Sequence, residues 1–244
     1  FPIDLTQDIL KSKNINVDTE EFEDKLEQQR NLARSSWSGS GDSKTEKIWF
    51  ELNAKLNPTE FLGYSVNETE SSVISIISNG KECKTLKSSE SGTLILNQTV
   101  FYAESGGQIG DQGKIFGNDF TFQVNDTKKK GNLILHIGTI TEGKINKNDQ
   151  VKCHINEERR NNCRSYHSAT HILHQALRDE LGGHVAQKGS LVSHDKLRFD
   201  FSHHLAMSQN EINAVELKIN KVINKATDVS PKLMSPEDAI KEGA

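Results

Sequence analysis

The residues with the clearest chemical capacity are His167-Ser168-Ala169-Thr170-His171 and, three positions on, His174. Positions four apart on a helix stand ~40° from one another around the axis and one turn apart along it, so the imidazoles of His167 and His171 can grip one cation. The same spacing also describes an ordinary surface pair. A zincin is disfavoured, because Ser168 stands where a metalloprotease carries its Glu base. Cys163, one turn earlier on the same face, can add a third donor, although a buried cysteine is the simpler reading. A full zinc shell needs about four ligands, and nothing downstream in the sequence offers a Cys or His pair at the spacing of a zinc motif.

Two other runs carry polar groups at informative positions. Within Phe101–Asp111, Gly106-Gly107-Gln108 is followed by Gly110 and Gly113, a density of glycine that demands tight turns or close approach by another backbone. A nucleophile elbow would place Gly two residues before Ser105, where Ala103 stands, which argues against a serine hydrolase. The tripeptide GGQ also occurs in peptide-chain release factors, but in different surroundings. In the run Gly183–Val192, Gln187 offers an acceptor and two donors and Lys188 a cation, so this turn can read a polar ligand or simply be solvated. Arg198 and Asp200 point to one face of a strand and can pair with each other or across it.

These residues must be positioned by recognisable elements. Tyr166, Ala169, Leu173, Ala176, Leu177 and Leu181 fall on one arc of a helix that Gly182-Gly183 stops, with the histidines at the arc's edge, where a helix can line a pocket. Leu197, Phe199 and Phe201 alternate with polar residues as a half-buried strand does. Ser208 and Glu211 form a capping box for a further helix through Ile223, and Ser235-Pro236 opens another. Upstream, 61–155 is a succession of short β-branched runs (Ser72–Ile77, Thr93–Leu96, Asp119–Val124, Leu133–Ile137), with Asn79-Gly80 as a type I′ hairpin signal. That spacing predicts a small barrel or sandwich. A helix over 17–34 starts at Asp18 with Glu21 as capping partner and Val17 stapling Phe22, and the Ser/Gly-rich stretch Ser35–Asp42 reads as a mobile connection and a domain boundary.

Composition narrows the function classes. Thirty Lys+Arg against 34 Asp+Glu give a net charge of −4, which argues against nucleic-acid binding by a broad basic surface. Local phosphate contacts fall to Arg159, Arg160, Arg164 and Lys128–Lys130, unless these are only solvated charges. Three cysteines with no CxxC spacing fit a reducing, cytoplasmic compartment. Neither a membrane span nor a signal layout is present, so no membrane partner is expected.

Taken in order, FPIDLT (1–6), QQRNLAR (28–34), FYAESGGQIGDQG (101–113), HSATHILHQALRDELGGHVAQKGSLV (167–192) and LRFDFSH (197–203) resemble the alanyl-tRNA synthetases, bacterial or organellar members most closely. The resemblance implies an α+β chain: a helical remnant of the tRNA-recognition domain over 1–34, a linker over 35–60, a β-barrel editing subdomain over 61–155, and an α/β two-layer sandwich over 156–244. That sandwich is of the type shared with free-standing alanyl editors and the threonyl-tRNA synthetase editing domain. It implies hydrolysis of seryl or glycyl esters on tRNA(Ala), errors that arise because a small pocket cannot strongly reject an isostere bearing a hydroxyl. It further implies His167 and His171 as two zinc ligands, the other two lying in a Cys-x-x-x-His segment after Gly243-Ala244, so weak or no zinc binding is expected of this sequence alone.

By the same resemblance Thr170 and Gln187 shape the pocket, while Lys188 and Arg198 are the expected cations for substrate or tRNA. ATP and magnesium would serve only the parent's separate aminoacylation site. With no activated Ser or Cys beside a base, direct attack by water is expected. A free-standing trans-editing deacylase and a non-catalytic tRNA-binding module are the competing readings.

Overall fold

The computed structural model describes residues 10, 18, 19, 21, 22, 24, 25, 42–227 and 234–242. The chain divides into two compact units, Phe1–Phe50 and Glu51–Ala244. In the first, the helix start read at Asp18 is present: its carboxylate accepts the Glu21 N–H at 3.0 Å. The FPIDLT and QQRNLAR segments and the Ser/Gly stretch 35–41 lie outside the described residues. Part of the expected linker is ordered differently. Asp42–Lys55 forms helix α1, a mix of good and middling helix formers without a sustained apolar stripe, which is why periodicity did not reveal it.

The strand-rich segment closes on itself. Strands β1 (Glu68–Ser78), β2 (Ser91–Leu96), β3 (Gly113–Phe116), β4 (Thr121–Lys130), β5 (Leu133–Glu142) and β6 (Gln150–Ile155) pair antiparallel in the ring order β6-β3-β4-β5-β2-β1. A final pairing of β6 with β1, Gln150 opposite Ser72 and His154 opposite Glu68, completes the barrel. Asn79 and Gly80 adopt φ of 52° and 72°, the expected type I′ turn, and send β1 into the short strand Lys81–Cys83. Alternation aims Val151, Cys153 and Ile155 of β6 inward, onto a core that includes Ile76, Leu94, Phe101, Ile115, Phe122 and Ile140.

Past residue 156 the architecture is helical with one ribbon. Helix α2 (Glu157–Leu181) is capped by the Asn156 side chain and stopped at Gly182, whose φ of 113° suits glycine. Strands β7 (Gln187–Val192) and β8 (Leu197–Phe201) pair antiparallel. Helix α3 (Gln209–Ile223) carries the predicted Ser208/Glu211 capping box, and α4 (Pro236–Lys241) has Pro in its first turn. Ala176, Leu177, Val185 and Val215 form a second core, joined by Leu173, Phe199, Phe201 and Ile219. The chain is thus mixed α/β: a closed six-stranded barrel followed by two helices packed with a two-stranded ribbon.

A histidine packs against this core, His136 edge-on to Phe101 with ring centroids 5.3 Å apart. His136 is fully buried, its Nδ1–H donating to the Leu94 carbonyl at 3.0 Å and its Nε2 accepting from the Thr99 hydroxyl at 2.7 Å. Burial pushes its pKa down to about 4, so it is neutral in the fold. The unfolded chain, with an ordinary imidazole near 6.5, binds the extra proton between those values. Stability is therefore fullest above pH 6.5 and falls by roughly 3 kcal/mol as pH drops toward about 4. Thermal melts across this range should show that decline, and His136→Gln should flatten the profile while lowering the plateau. An unchanged slope in the variant would exclude His136 as its source.

Candidate functional site

The segment Val100–Gln112 leaves the barrel and reaches α2 and β7. Ser105 and Gln108 exchange both backbone hydrogen bonds, at 3.0 and 3.1 Å, around Gly106 and Gly107 with φ of 59° and 82°. This is a two-residue turn with positive φ at both central positions, open to glycine at least cost. Gly107 has a second constraint, since a Cβ there would collide with the Ser190 hydroxyl and carbonyl. Beside it, the Val192 N–H donates to the Gly107 carbonyl at 2.7 Å and the Ile109 N–H to the Val192 carbonyl at 3.0 Å. The glycine-rich run therefore fulfils both expectations made of it, a tight turn and a close backbone approach.

The same segment grips the first turn of α2. Arg160 and Asp111 are 3% and 2% exposed. Arg160 Nε donates to both carboxylate oxygens at 3.0 and 2.8 Å, and Nη2 also meets Oδ2 of Asp111. Nη1 donates to the Gly63 carbonyl at 2.8 Å and Nη2 to the Val100 carbonyl at 2.7 Å. Arg159 donates to the Gly110 carbonyl at 3.0 Å. Arg160, taken from the sequence as a candidate phosphate contact, is thereby corrected to an internal anchor: its charge is buried and its donors face protein acceptors.

Two turns further along α2, His167 and His171 stand one above the other, ring centroids 5.1 Å apart and planes inclined by 21°. His167 is half-buried and its Nδ1–H donates to the Gln108 side-chain oxygen at 2.8 Å, while His171 is exposed. Burial, with the neighbouring His171 second, lowers the His167 pKa, which favours a neutral ring. Thr170 is buried on the same helix, its hydroxyl donating to the Tyr166 carbonyl at 2.8 Å. Gln187 is exposed at the start of β7 and donates to the Ser190 hydroxyl at 3.1 Å. Lys188 is exposed at the irregularity between Gln187 and Gly189. Arg198 pairs with Asp200 at 3.1 Å, the self-pairing that the strand pattern allows.

The structure thus brings His167 to Gln108 and Gln187 to Ser190, on either side of one glycine turn. His174 is not presented with the pair: its ring packs on Phe199 at 5.0 Å, and its buried Nε2 has no hydrogen-bond partner among the described residues. Cys163 is buried, with its thiol pKa raised by that burial, as its simpler reading expects. For a cation, the chain offers His167 and His171 as a pair of imidazole donors, half of a tetrahedral zinc shell. Among the described residues no group of three or more His, Cys, Asp or Glu is arranged to hold a metal ion.

Sequence reasoning missed two features here. Gln108 was visible only as part of a turn. His184 meets His203 (Nε2 to Nδ1, 2.9 Å) and stacks on His204 at 5.2 Å, a cluster assembled from positions too far apart to signal one another. A separate groove of about 720 Å³, lined by residues such as Phe116, Phe120, Lys144 and Asp149, contains none of the histidine-site residues. No helix among the described residues is long and apolar enough to cross a membrane.

Comparison with known proteins gives a consistent result. Residues 1–159 match the family described as tRNA synthetases class II (A). The whole chain is 47% identical over 245 residues to an alanine–tRNA ligase of Rhodopseudomonas palustris, of which it covers 28%. It is 46% identical to that of Nitrobacter winogradskyi, again covering 28%, and 47% identical over 251 residues to that of Paramagnetospirillum magneticum, covering 29%. The chain spans under a third of the length of these relatives.

Removing one partner of the Arg160–Asp111 pair leaves the other charge buried and uncompensated. Asp111→Asn or Arg160→Met should each cost about 3–5 kcal/mol in urea unfolding. A loss below about 1 kcal/mol would mean that water reaches the pair.

Proposed function

The chain belongs to the class II (A) tRNA synthetase family, and from that premise, with its full-length likeness to alanine–tRNA ligases, we propose that it is the proofreading portion of such an enzyme. Its reaction is hydrolysis of the ester joining serine or glycine to the terminal adenosine of tRNA(Ala). Water adds to the ester carbonyl and the ribose oxygen leaves as hydroxyl, giving free amino acid and uncharged tRNA. ATP-dependent aminoacylation belongs to another part of the parent enzyme. The editing-type sandwich is our assignment for the layer formed by α2, α3 and the β7–β8 ribbon.

The observation that carries this reading is the glycine turn at Gly106-Gly107, which touches Ser190 beside Gln187 on one side and delivers Gln108 to His167 on the other. A helix edge bearing imidazoles and a strand end bearing an amide are thus tied to one loop. Thr170 and Gln187 are the proposed shapers of the amino-acid pocket. His167 and His171 would supply two donors to zinc, which when bound polarises a water or carbonyl oxygen. Lys188 and Arg198, both exposed, are the proposed contacts to the acceptor end of the tRNA.

In the full-length enzyme, Thr170→Trp or Gln187→Trp should slow seryl-tRNA(Ala) deacylation by about tenfold or more, a barrier change of about 1.4 kcal/mol, with alanine charging near its original rate. Wild-type deacylation rates in both variants would remove these residues from the pocket.

A further inference from the structure

Gln108 is 5% exposed and held from both sides. Its own N–H and carbonyl close the turn with Ser105, and its two chain neighbours are bonded to Val192. The side-chain amide is therefore delivered to His167 by a clamped backbone, and with its oxygen facing Nδ1 at 2.8 Å the proton of that contact sits on Nδ1, because an amide oxygen can only accept. A proton on Nδ1 puts the lone pair on Nε2. That is the tautomer a histidine side chain in water disfavours, so something must hold it.

We infer that Gln108 is a positioning residue for the histidine site: it fixes His167 as the Nδ1–H tautomer and sets its ring orientation, so that Nε2 carries the lone pair toward whatever the site binds. The arrangement has the form of an outer partner that orients a metal-ligating imidazole and raises its basicity. The same turn, whose second glycine lies against Ser190, carries residue 108 to α2. The inference deepens the proofreading reading, because it concerns the same histidines, but it stands on a separate measurement.

The test is the ring tautomer of His167, read from long-range proton–nitrogen correlation of the whole chain at about pH 8, where imidazoles are neutral. The expected result is a predominantly Nδ1–H ring. Gln108→Leu should invert it to Nε2–H, and Gln108→Glu, which keeps an acceptor oxygen at the same reach, should restore Nδ1–H. His136 is an internal control: it too donates from Nδ1, to Leu94, and its signal must stay unchanged while the barrel is folded. If Gln108→Leu also disturbs His136, the smaller change Gln108→Met, which retains length and removes the amide, replaces it. A His167 ring that is Nε2–H in the parent chain, or that remains Nδ1–H once the amide is gone and His136 is intact, overturns the inference. Loss of seryl-tRNA hydrolysis is not part of this readout, so failure of the proofreading reading would leave the tautomer result standing, and the reverse holds equally.

Discussion

One guanidinium, sealed between a barrel loop and the first turn of a helix, sets the geometry of everything near the histidines. Burying Arg160 with Asp111 takes two charges out of water, a cost that attraction offsets only when the remaining donors are also satisfied. The carbonyls of Gly63 and Val100 engage two further donors of the guanidinium, and Asp111 in turn accepts the Tyr102 N–H at 2.7 Å. The same loop meets the same helix again where Gln108 receives His167. Two attachments along one helix fix both its height against the barrel and its rotation about its axis. A third, from Gly107 and Ile109 to Val192, brings the ribbon into the same frame.

Local features were legible because they obey local rules. Asn79-Gly80 turned where its φ preference required, Ser208 and Glu211 capped a helix three residues apart, and Phe199 and Phe201, two apart on one strand, packed against the same core. The histidine pair was visible for the same reason, being a matter of four residues on one helix. What could not be read were partnerships between distant segments. Arg160 and Asp111 are 49 residues apart, and His167 and Gln108 are 59. Nothing in the spacing of either residue names the other, so Arg160 looked like one more surface cation and Gln108 like one more turn residue. Helix α1 was missed for the opposite reason: its propensity is adequate, but it lacks the apolar stripe that would have distinguished it from a connection.

The glycine-rich run shows how a weak motif acquires meaning. As three letters, Gly-Gly-Gln fits many contexts. In this fold each letter has its own constraint: positive φ at 106, positive φ with a crowded neighbour at 107, and a buried amide aimed at an imidazole at 108. A motif of this kind is specific through the contacts its members make rather than through its composition.

Closure of the barrel by β6 against β1 also orders events in time. Gln150 donates to the Ser72 hydroxyl across 78 residues of chain, so the last seam joins strands at the two ends of the segment. Loop-closure entropy makes such a seam slow to form. During synthesis the cylinder stays open until Ile155 has left the ribosome, and only then does the next residue, Asn156, begin the helix that carries Arg160 and His167. Until then the Glu68–Ser72 end of β1 has an unpaired edge, the kind of edge on which strands mispair.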